Sequence, residues 1–163
     1  MAKVSICGMG KLGFPVALAA SSKGHDVAGY DVSPAAKEIL RTRKYPHREA
    51  DAQDLLDNTT LRVVDTIEEA VAHGDVVFIA VQTPHQAEYE GITRMPETRA
   101  DFSYEALKAA VFQVSDAAKQ LQKHIAMVVI STVLPGTSER ELYPIIRDNP
   151  YVSFIYDPYF IAM

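Results

Sequence analysis

The chain of 163 residues contains no tryptophan and one cysteine, Cys7. A single cysteine excludes an internal disulfide, so we expect a reducing compartment, the cytoplasm. Basic residues are also few, because 16 Lys and Arg stand against 21 Asp and Glu, which gives a formal net charge of -5. A surface that binds nucleic acid needs clustered Lys and Arg, and this balance argues against such a partner.

Long apolar runs are missing as well. No run approaches the roughly 20 residues that a membrane-spanning helix needs, and no stretch has the charged, apolar and small-residue order of a signal peptide. We therefore predict no membrane partner. The five histidines show no metal-ligand spacing with one another or with Cys7, so we predict no metal site.

The apolar residues that are present, 48% of the chain, occur in short runs separated by helical patterns. The predicted strands are 3–7, 25–30, 60–65, 75–81, 125–132 and 151–156. Helices are predicted at 12–22, from a Ser33 cap with Pro34 at the first helical position, at 65–73 with an Asp or Thr cap, at 102–123 and at 136–146. Gly136 and Thr137 open that last helix, and their residue types are consistent with no more than its N-terminal cap.

The predicted strands are continuous Val and Ile runs and do not alternate with polar residues, which is typical of strands covered on both faces. The pattern predicts an α/β fold: a doubly wound, parallel, six-stranded sheet (Rossmann fold) with strand order 3-2-1-4-5-6. It closes by about Tyr156, so residues 1–156 form one predicted domain. The connection 85–100 exceeds the usual ~12–15 residues, which favours a functional or disordered loop, and its Arg94 and Arg99 are able to meet phosphate.

Three glycines, Gly8, Gly10 and Gly13, follow the first strand at G-x-G-x-x-G spacing and open a helix. In isolation the pattern is consistent with an ordinary turn. In a βαβ unit it predicts dinucleotide binding, because the glycines allow a tight turn, a close approach of pyrophosphate and close helix packing. The predicted cofactor-binding residues of this turn are Gly8, Met9, Gly10, Lys11, Leu12 and Gly13.

Asp31 ends the second predicted strand, and Val32 and Ser33 follow it where an arginine would favour a 2′-phosphate. A carboxylate there accepts ribose hydroxyls and repels that phosphate, so NAD is favoured over NADP. We count Val32 with the cofactor-binding residues.

Two further turns follow strands: VQTP, which contains Val81 and Thr83, and STVLPGT, which contains Thr132. The two threonine hydroxyls are able to face a nicotinamide or a sugar. Equally, threonine and proline in these turns do no more than cap and end the strands.

Together these segments resemble the UDP-glucose/GDP-mannose dehydrogenase family. The resemblance rests on ICGMGKLGFPVALAAS, Asp31 with Lys37, Pro46 with Glu49, VQTP, DFSY and STVLPGT, in the family's order. It implies NAD as cofactor, a nucleotide-linked sugar as substrate, and oxidation of its C6 alcohol to a carboxylate with the intermediate held on a cysteine thiol. It also implies Lys37 near the adenosine, Thr83 and Thr132 as catalytic residues beside the nicotinamide, and a homodimer of the full-length protein.

The end of the chain departs from that family. The family has N-P-E-F after its sixth strand, where this chain has Asp157, Pro158, Tyr159 and Phe160. We expect 157–163 to begin a connection to a central helix and second domain that carry the reactive thiol, and a phenol to be a poor substitute for the glutamate. The alternatives are a natural stand-alone NAD-binding module, or another two-domain enzyme such as a 3-hydroxyacid or 6-phosphogluconate dehydrogenase.

Overall fold

The structure, a computed structural model, describes residues 1–89, 94 and 96–159. Its strands are β1 (Lys3–Cys7), β2 (Asp26–Tyr30), β3 (Arg62–Val63), β4 (Val76–Ile79), β5 (Ile125–Val129) and β6 (Val152–Tyr156). Its helices are α1 (Gly13–Ser22), α2 (Ala35–Thr42), α3 (Ala52–Asn58), α4 (Ile67–His73), α5 (Glu105–Gln120) and α6 (Tyr143–Ile146). A 3₁₀ turn (Ala87–Tyr89) follows β4, and a π-helical turn (Ser138–Leu142) precedes α6.

All six strands are parallel and lie in the order β3-β2-β1-β4-β5-β6, which confirms the predicted topology. β1 is central, with Ile6 opposite Gly29 of β2 on one side and Phe78 of β4 on the other. The carboxyl ends of β1, β2, β4 and β5 therefore meet at one edge of the sheet, where ligands bind in open α/β sheets.

Two apolar cores lie on the two faces of this sheet. On one face, α1, α2 and α3 pack residues such as Phe14 and Leu56 against β1 and β2. On the other, α4, α5 and α6 pack residues such as Leu107 and Ile146 against β1, β4 and β5. β1 is buried on both faces after its first residue, as predicted. β6 differs from the prediction of full cover, because it is an edge strand whose Ser153 and Ile155 are exposed.

Several boundaries follow the sequence signals, and others do not. Thr66 caps α4 in a capping box with Glu69, one of the two caps predicted there. α2 begins at Ala35 instead of Pro34, although the Ser33 hydroxyl does accept a hydrogen bond from the Ala35 N–H at 3.3 Å. Thr137 stands at the N-cap position of the π-helical turn, but its side chain is buried and makes no capping hydrogen bond.

Helix α3 was not predicted. Arg43, which follows α2, and Asp51, which precedes α3, both have backbone in the left-handed region, at φ 53° and 57° respectively. Such turns usually carry glycine, so neither boundary shows the ordinary sequence signal.

Among the described residues, no helix combines the length and apolar character needed to cross a bilayer. The same residues contain no group of three or more His, Cys, Asp or Glu side chains arranged to hold a metal ion. β6 ends at Tyr156, where the predicted domain ends. Residues 160–163 of the predicted connection lie outside the described residues, and so do 90–93 and 95 of the loop 85–100.

Candidate functional site

The turn between β1 and α1 shows why two of its glycines are needed for folding. Gly8 has φ 97°, and a Cβ there would lie 2.6 Å from the Ala80 carbonyl oxygen. A Cβ on Gly13 would lie 1.8 Å from the carbonyl oxygen of Gly8. Both contacts are with backbone, which cannot move aside without shifting the sheet.

Gly10 differs from both, because a Cβ there would meet no protein atom within 4 Å. The space above Gly10 is open, and it lies directly before the first turn of α1. Leu12 is the N-cap residue of α1, and its side chain makes no capping hydrogen bond. No acidic residue lies in the first turn of the helix. The Phe14 and Val16 N–H groups donate to the Gly10 and Leu12 carbonyls, and Pro15 has no N–H. Among the described residues, the N–H groups of Lys11, Leu12 and Gly13 have no such partner and are available to an anion, with the positive end of the helix dipole behind them.

Asp31 lies beside this turn and is fixed by two backbone N–H groups. Met9 donates to Oδ2 at 2.5 Å and Ser33 donates to Oδ1 at 2.7 Å. Gly8 also donates its N–H to the Tyr30 carbonyl at 2.9 Å, which joins the turn to the end of β2. Each carboxylate oxygen accepts more than one hydrogen bond, so Asp31 keeps acceptor capacity for a ligand.

A cavity of about 460 Å³ opens at this edge of the sheet. Five predicted site residues line it: Gly8, Gly10, Asp31, Val32 and Val81. Nine lining residues were missed from the sequence: Cys7, Tyr30, Ile67, Ala80, Gln82, Ala106, Ala109, Ala110 and Gln113. The four from α5 have i, i+3, i+4, i+7 spacing, which places them on one helix face. The small side chains of the three alanines give the cavity its room, and that stripe of alanines was the available signal.

The other predicted residues lie around this cavity and do not line it. Met9 is buried against Gly29, where a Cβ would come within 2.6 Å of the methionine sulfur. Lys37 forms an ion pair with Asp65 on the surface. Leu12 and Gly13 belong to the start of α1, and Lys11 is exposed beside them. A larger cavity, about 670 Å³, lies at the opposite edge of the sheet and contains none of the predicted site residues.

The two predicted threonines are brought together. The Thr83 hydroxyl donates to the Thr132 carbonyl at 2.7 Å, which links the turn after β4 to the turn after β5. The Thr83 hydroxyl proton is therefore engaged with backbone, and Thr132 presents an exposed side chain. In the loop 85–100, the Arg99 guanidinium donates to the Pro96 carbonyl at 2.6 Å, within its own loop.

Cys7 lies beneath the glycine turn with 1% of its surface exposed. Burial raises the pKa of its thiol to about 12, with a smaller contribution from the nearby Asp31 carboxylate. The thiolate is the reactive form of cysteine. Cys7 is therefore unreactive in the folded chain at neutral pH.

Comparison with known proteins identifies the family of this chain. Residues 2–161 match the family model described as the UDP-glucose/GDP-mannose dehydrogenase family, NAD binding domain. The chain belongs to this family. It is the NAD-binding domain, and NAD is its cofactor.

Among its relatives is the GDP-mannose 6-dehydrogenase of Pseudomonas putida, 29% identical over 90% of this chain and 32% of that protein. The UDP-glucose 6-dehydrogenase of Rhizobium meliloti is 31% identical over 98% of this chain and 35% of that protein. The chain thus spans about a third of the length of the curated relatives it matches.

Solved structures agree with the assignment. A UDP-glucose dehydrogenase from Pyrobaculum islandicum superposes with a TM-score of 0.83 at 28% identity, over 99% of this chain and 37% of that one. The GDP-mannose dehydrogenase of Pseudomonas aeruginosa in a ternary complex also gives 0.83, at 26% identity, over 98% and 36% of the two chains.

The residues present fit the family's cofactor. A dinucleotide has a pyrophosphate that needs free N–H groups and backbone that can be approached closely, which Lys11 to Gly13 at the start of α1 and Gly10 offer. It also has a ribose that needs a hydrogen-bond acceptor, which Asp31 offers at the end of β2.

Proposed function

We propose that this domain holds NAD in the cavity at the carboxyl edge of the sheet and serves the oxidation of a nucleotide-linked sugar. The observation that carries the proposal is the open space above Gly10, next to an uncapped helix start and the fixed Asp31 carboxylate. In this arrangement α1 and Gly10 receive the pyrophosphate, and Asp31 accepts the adenosine ribose hydroxyls. Tyr30, Ile67 and Gln113 bound the adenine side of the cavity.

The proposed reaction is the one that the resemblance implies: the C6 alcohol of a UDP- or GDP-linked hexose is oxidised to a carboxylate. NAD, when bound, accepts a hydride, and a four-electron oxidation delivers two hydrides to two NAD molecules and takes one oxygen from water. Thr83 and Thr132 do not line the cavity, but they lie in the turns that follow Val81 and β5, and we assign the nicotinamide and the reacting carbon to the side of the cavity next to these two hydrogen-bonded threonines. In that scheme, the residues of this chain bind and orient the NAD.

A thiol nucleophile is not available within this sequence. Cys7 is the only cysteine, and burial holds it in the protonated form with a pKa of about 12. Tyr159, where the resemblance leads one to expect glutamate, has its N–H within 3.4 Å of the Ile130 carbonyl and a partly exposed side chain. We therefore propose that sugar oxidation uses groups outside these residues. We also propose that the protein is cytoplasmic and that it acts as a homodimer.

Those same two features support a second candidate, a stand-alone NAD-binding module without chemistry of its own. Both candidates require NAD binding, so binding cannot separate them. The size of the protein in its source can: a longer product supports the dehydrogenase, and a product of this length alone supports the module.

The test of cofactor binding is a fluorescence titration of the folded domain with NADH and NADPH. We expect Asp31→Asn to weaken NADH binding about tenfold, because a charge-assisted hydrogen bond contributes roughly 1.5 kcal/mol or more. The preference for NADH over NADPH should also fall, since the repulsion of a 2′-phosphate is removed. Asp148→Asn, at a carboxylate with 89% of its side chain exposed, is the matched control and should change neither ligand. A folded wild-type domain that binds no NADH would contradict the proposal.

A further inference from the structure

The turn after β5, residues 131–137, is held by an unusually complete set of hydrogen bonds. Its first four residues are each bonded to a different partner. These bonds are Ser131 Oγ to the Val81 carbonyl at 2.7 Å, Thr83 Oγ1 to the Thr132 carbonyl at 2.7 Å, the Val133 N–H to Tyr156 Oη at 3.2 Å, and the Leu134 N–H to Tyr104 Oη at 3.3 Å. Three separate parts of the fold, the turn after β4, the end of β6 and the start of α5, therefore fix this one turn.

Tyr104 is the most connected of these partners. It lies at the start of α5 with 6% of its surface exposed. Its hydroxyl donates to Asp101 Oδ1 and accepts from the Leu134 N–H and from Thr137 Oγ1, the last at 3.4 Å. A phenol has one proton and two lone pairs, so these three bonds use its whole capacity.

Asp101 extends this arrangement on the other side. Its Oδ2 accepts from Arg140 Nη2 at 3.2 Å, and Arg140 Nη2 also lies 3.4 Å from Thr137 Oγ1. The chain from Arg140 through Asp101 to Tyr104 therefore returns to the turn at Thr137 and Leu134. The Tyr104 hydroxyl donates to Asp101 and accepts from the Leu134 N–H, so it holds Leu134 in a fixed position, two residues from Thr132.

We infer that Tyr104, supported by Asp101, is a positioning residue that fixes the 131–137 turn and thereby directs Thr132 toward the nicotinamide end of the bound dinucleotide. This inference rests on the proposed function, because it assumes that the cavity holds NAD with its nicotinamide beside Thr132. It assigns Tyr104 no contact with the cofactor. The phenol acts only through the backbone of the turn.

The test separates the two ends of the cofactor. ADP-ribose has the adenine, both riboses and the pyrophosphate of NADH but lacks the nicotinamide. Tyr104→Phe keeps the buried ring and removes the hydroxyl, so the Leu134 N–H loses its acceptor. We expect the dissociation constant for NADH to rise about fivefold or more, and that for ADP-ribose to change less than about twofold. A loss of general stability would weaken both ligands alike.

Tyr143→Phe is the matched control, because this tyrosine is 52% exposed on α6, and it should change neither constant. Asp101→Ala should reproduce the selective loss, whereas Asp101→Asn should largely restore NADH binding, since an amide oxygen still accepts the phenol proton. This pair also carries the test if Tyr104→Phe fails to fold.

Equal weakening of both ligands, or unchanged NADH binding in Tyr104→Phe and Asp101→Ala, would overturn the positioning role while leaving the proposed function standing. A folded wild-type domain that binds ADP-ribose and NADH equally well would also overturn it, because the nicotinamide would then make no contact to be positioned. A wild-type domain that binds neither would overturn the proposed function and this inference together.

Discussion

At the scale of single residues, the three glycines of the first turn are excluded from substitution for different reasons. The protein backbone fills the space beside Gly8 and Gly13, whereas only open space faces Gly10. Folding therefore requires Gly8 and Gly13, whereas Gly10 serves a ligand that approaches the backbone. The same separation applies to Asp31, which stabilises the turn through Met9 and still has acceptor capacity.

Two alanine substitutions check this distinction. Gly10→Ala should leave the free energy of unfolding unchanged or slightly higher, because an added methyl reduces the freedom of the unfolded chain, while NADH affinity falls at least about tenfold. Gly13→Ala should lower the free energy of unfolding by roughly 1–3 kcal/mol or more, because the methyl overlaps the Gly8 carbonyl. Urea unfolding and NADH titration of each variant measure the two effects. If Gly10→Ala unfolded at a lower urea concentration than wild type and bound NADH with unchanged affinity, Gly10 would serve folding and not the ligand.

Sequence reasoning located the residues whose chemistry is local. Gly8, Gly10 and Asp31 were found because their spacing follows one βαβ unit, and all three line the cavity. Gln113 and Ile67 were missed because they reach the cavity from α5 and α4, far along the chain. Tyr104 was found only as part of a resemblance, since its hydrogen bonds to Leu134 and Thr137 depend on how α5 packs.

At the scale of elements, a lysine joins the end of α4 to the start of β5. The Lys123 ammonium, just before β5, donates to the carbonyls of Val71, Ala72 and Gly74 at 3.0, 2.9 and 2.8 Å. These carbonyls end α4, where a positive charge is favourable. One side chain thus caps α4 and fixes the start of β5 against it.

Replacing this lysine should loosen that end of the fold. We expect Lys123→Met to lower the free energy of unfolding by about 1–2 kcal/mol, because charge-assisted hydrogen bonds are lost while the aliphatic stem is kept. Lys119→Met, at an exposed position in the last turn of α5, should change it by less than about 0.5 kcal/mol. Chemical denaturation of the two variants against wild type gives the comparison, and equal effects would argue against the capping role.

Element boundaries show where local signals are insufficient. The capping box at Thr66 and Glu69 follows a pattern in the sequence, and α4 begins there. α3 has no such pattern, since Arg43 and Asp51 adopt left-handed backbone without glycine. The tertiary structure stabilises that segment instead: Gln53 bonds the backbone of Arg43 and Tyr45, and the Tyr45 ring stacks on Phe14 with centroids 5.8 Å apart. None of these contacts is readable from spacing.

At the scale of the whole molecule, buried groups that ionise in alkali make stability depend on pH. The pKa of Cys7 is raised from 9.0 to about 12 by burial and by Asp31. The pKa of Tyr104 is also raised, chiefly by burial and next by its hydrogen bond to Asp101. A raised pKa in the folded state gives stability that is complete below the unfolded value and is lost as pH rises toward the folded value.

The free energy of unfolding should therefore decline above about pH 9, with Cys7 contributing up to about 1.4 kcal/mol for each pH unit. Cys7→Ala removes this contribution, so its decline between pH 9 and 11 should be shallower than that of wild type. Urea unfolding at pH 8, 9, 10 and 11 gives both slopes. Identical slopes would mean that the thiol ionises in the folded chain as easily as in the unfolded one.

The strand order also constrains the sequence of events on the ribosome. β1, β2 and β3 precede β4 in the chain, yet β1 pairs with both β2 and β4. The three strands and the core of α1, α2 and α3 can assemble first, but one long edge of β1 then waits for β4 to emerge. Synthesis of residues 64–79 takes on the order of a second. During that interval the strand that ends up at the centre of the sheet is its exposed margin, open to nascent-chain chaperones or to a neighbouring polypeptide.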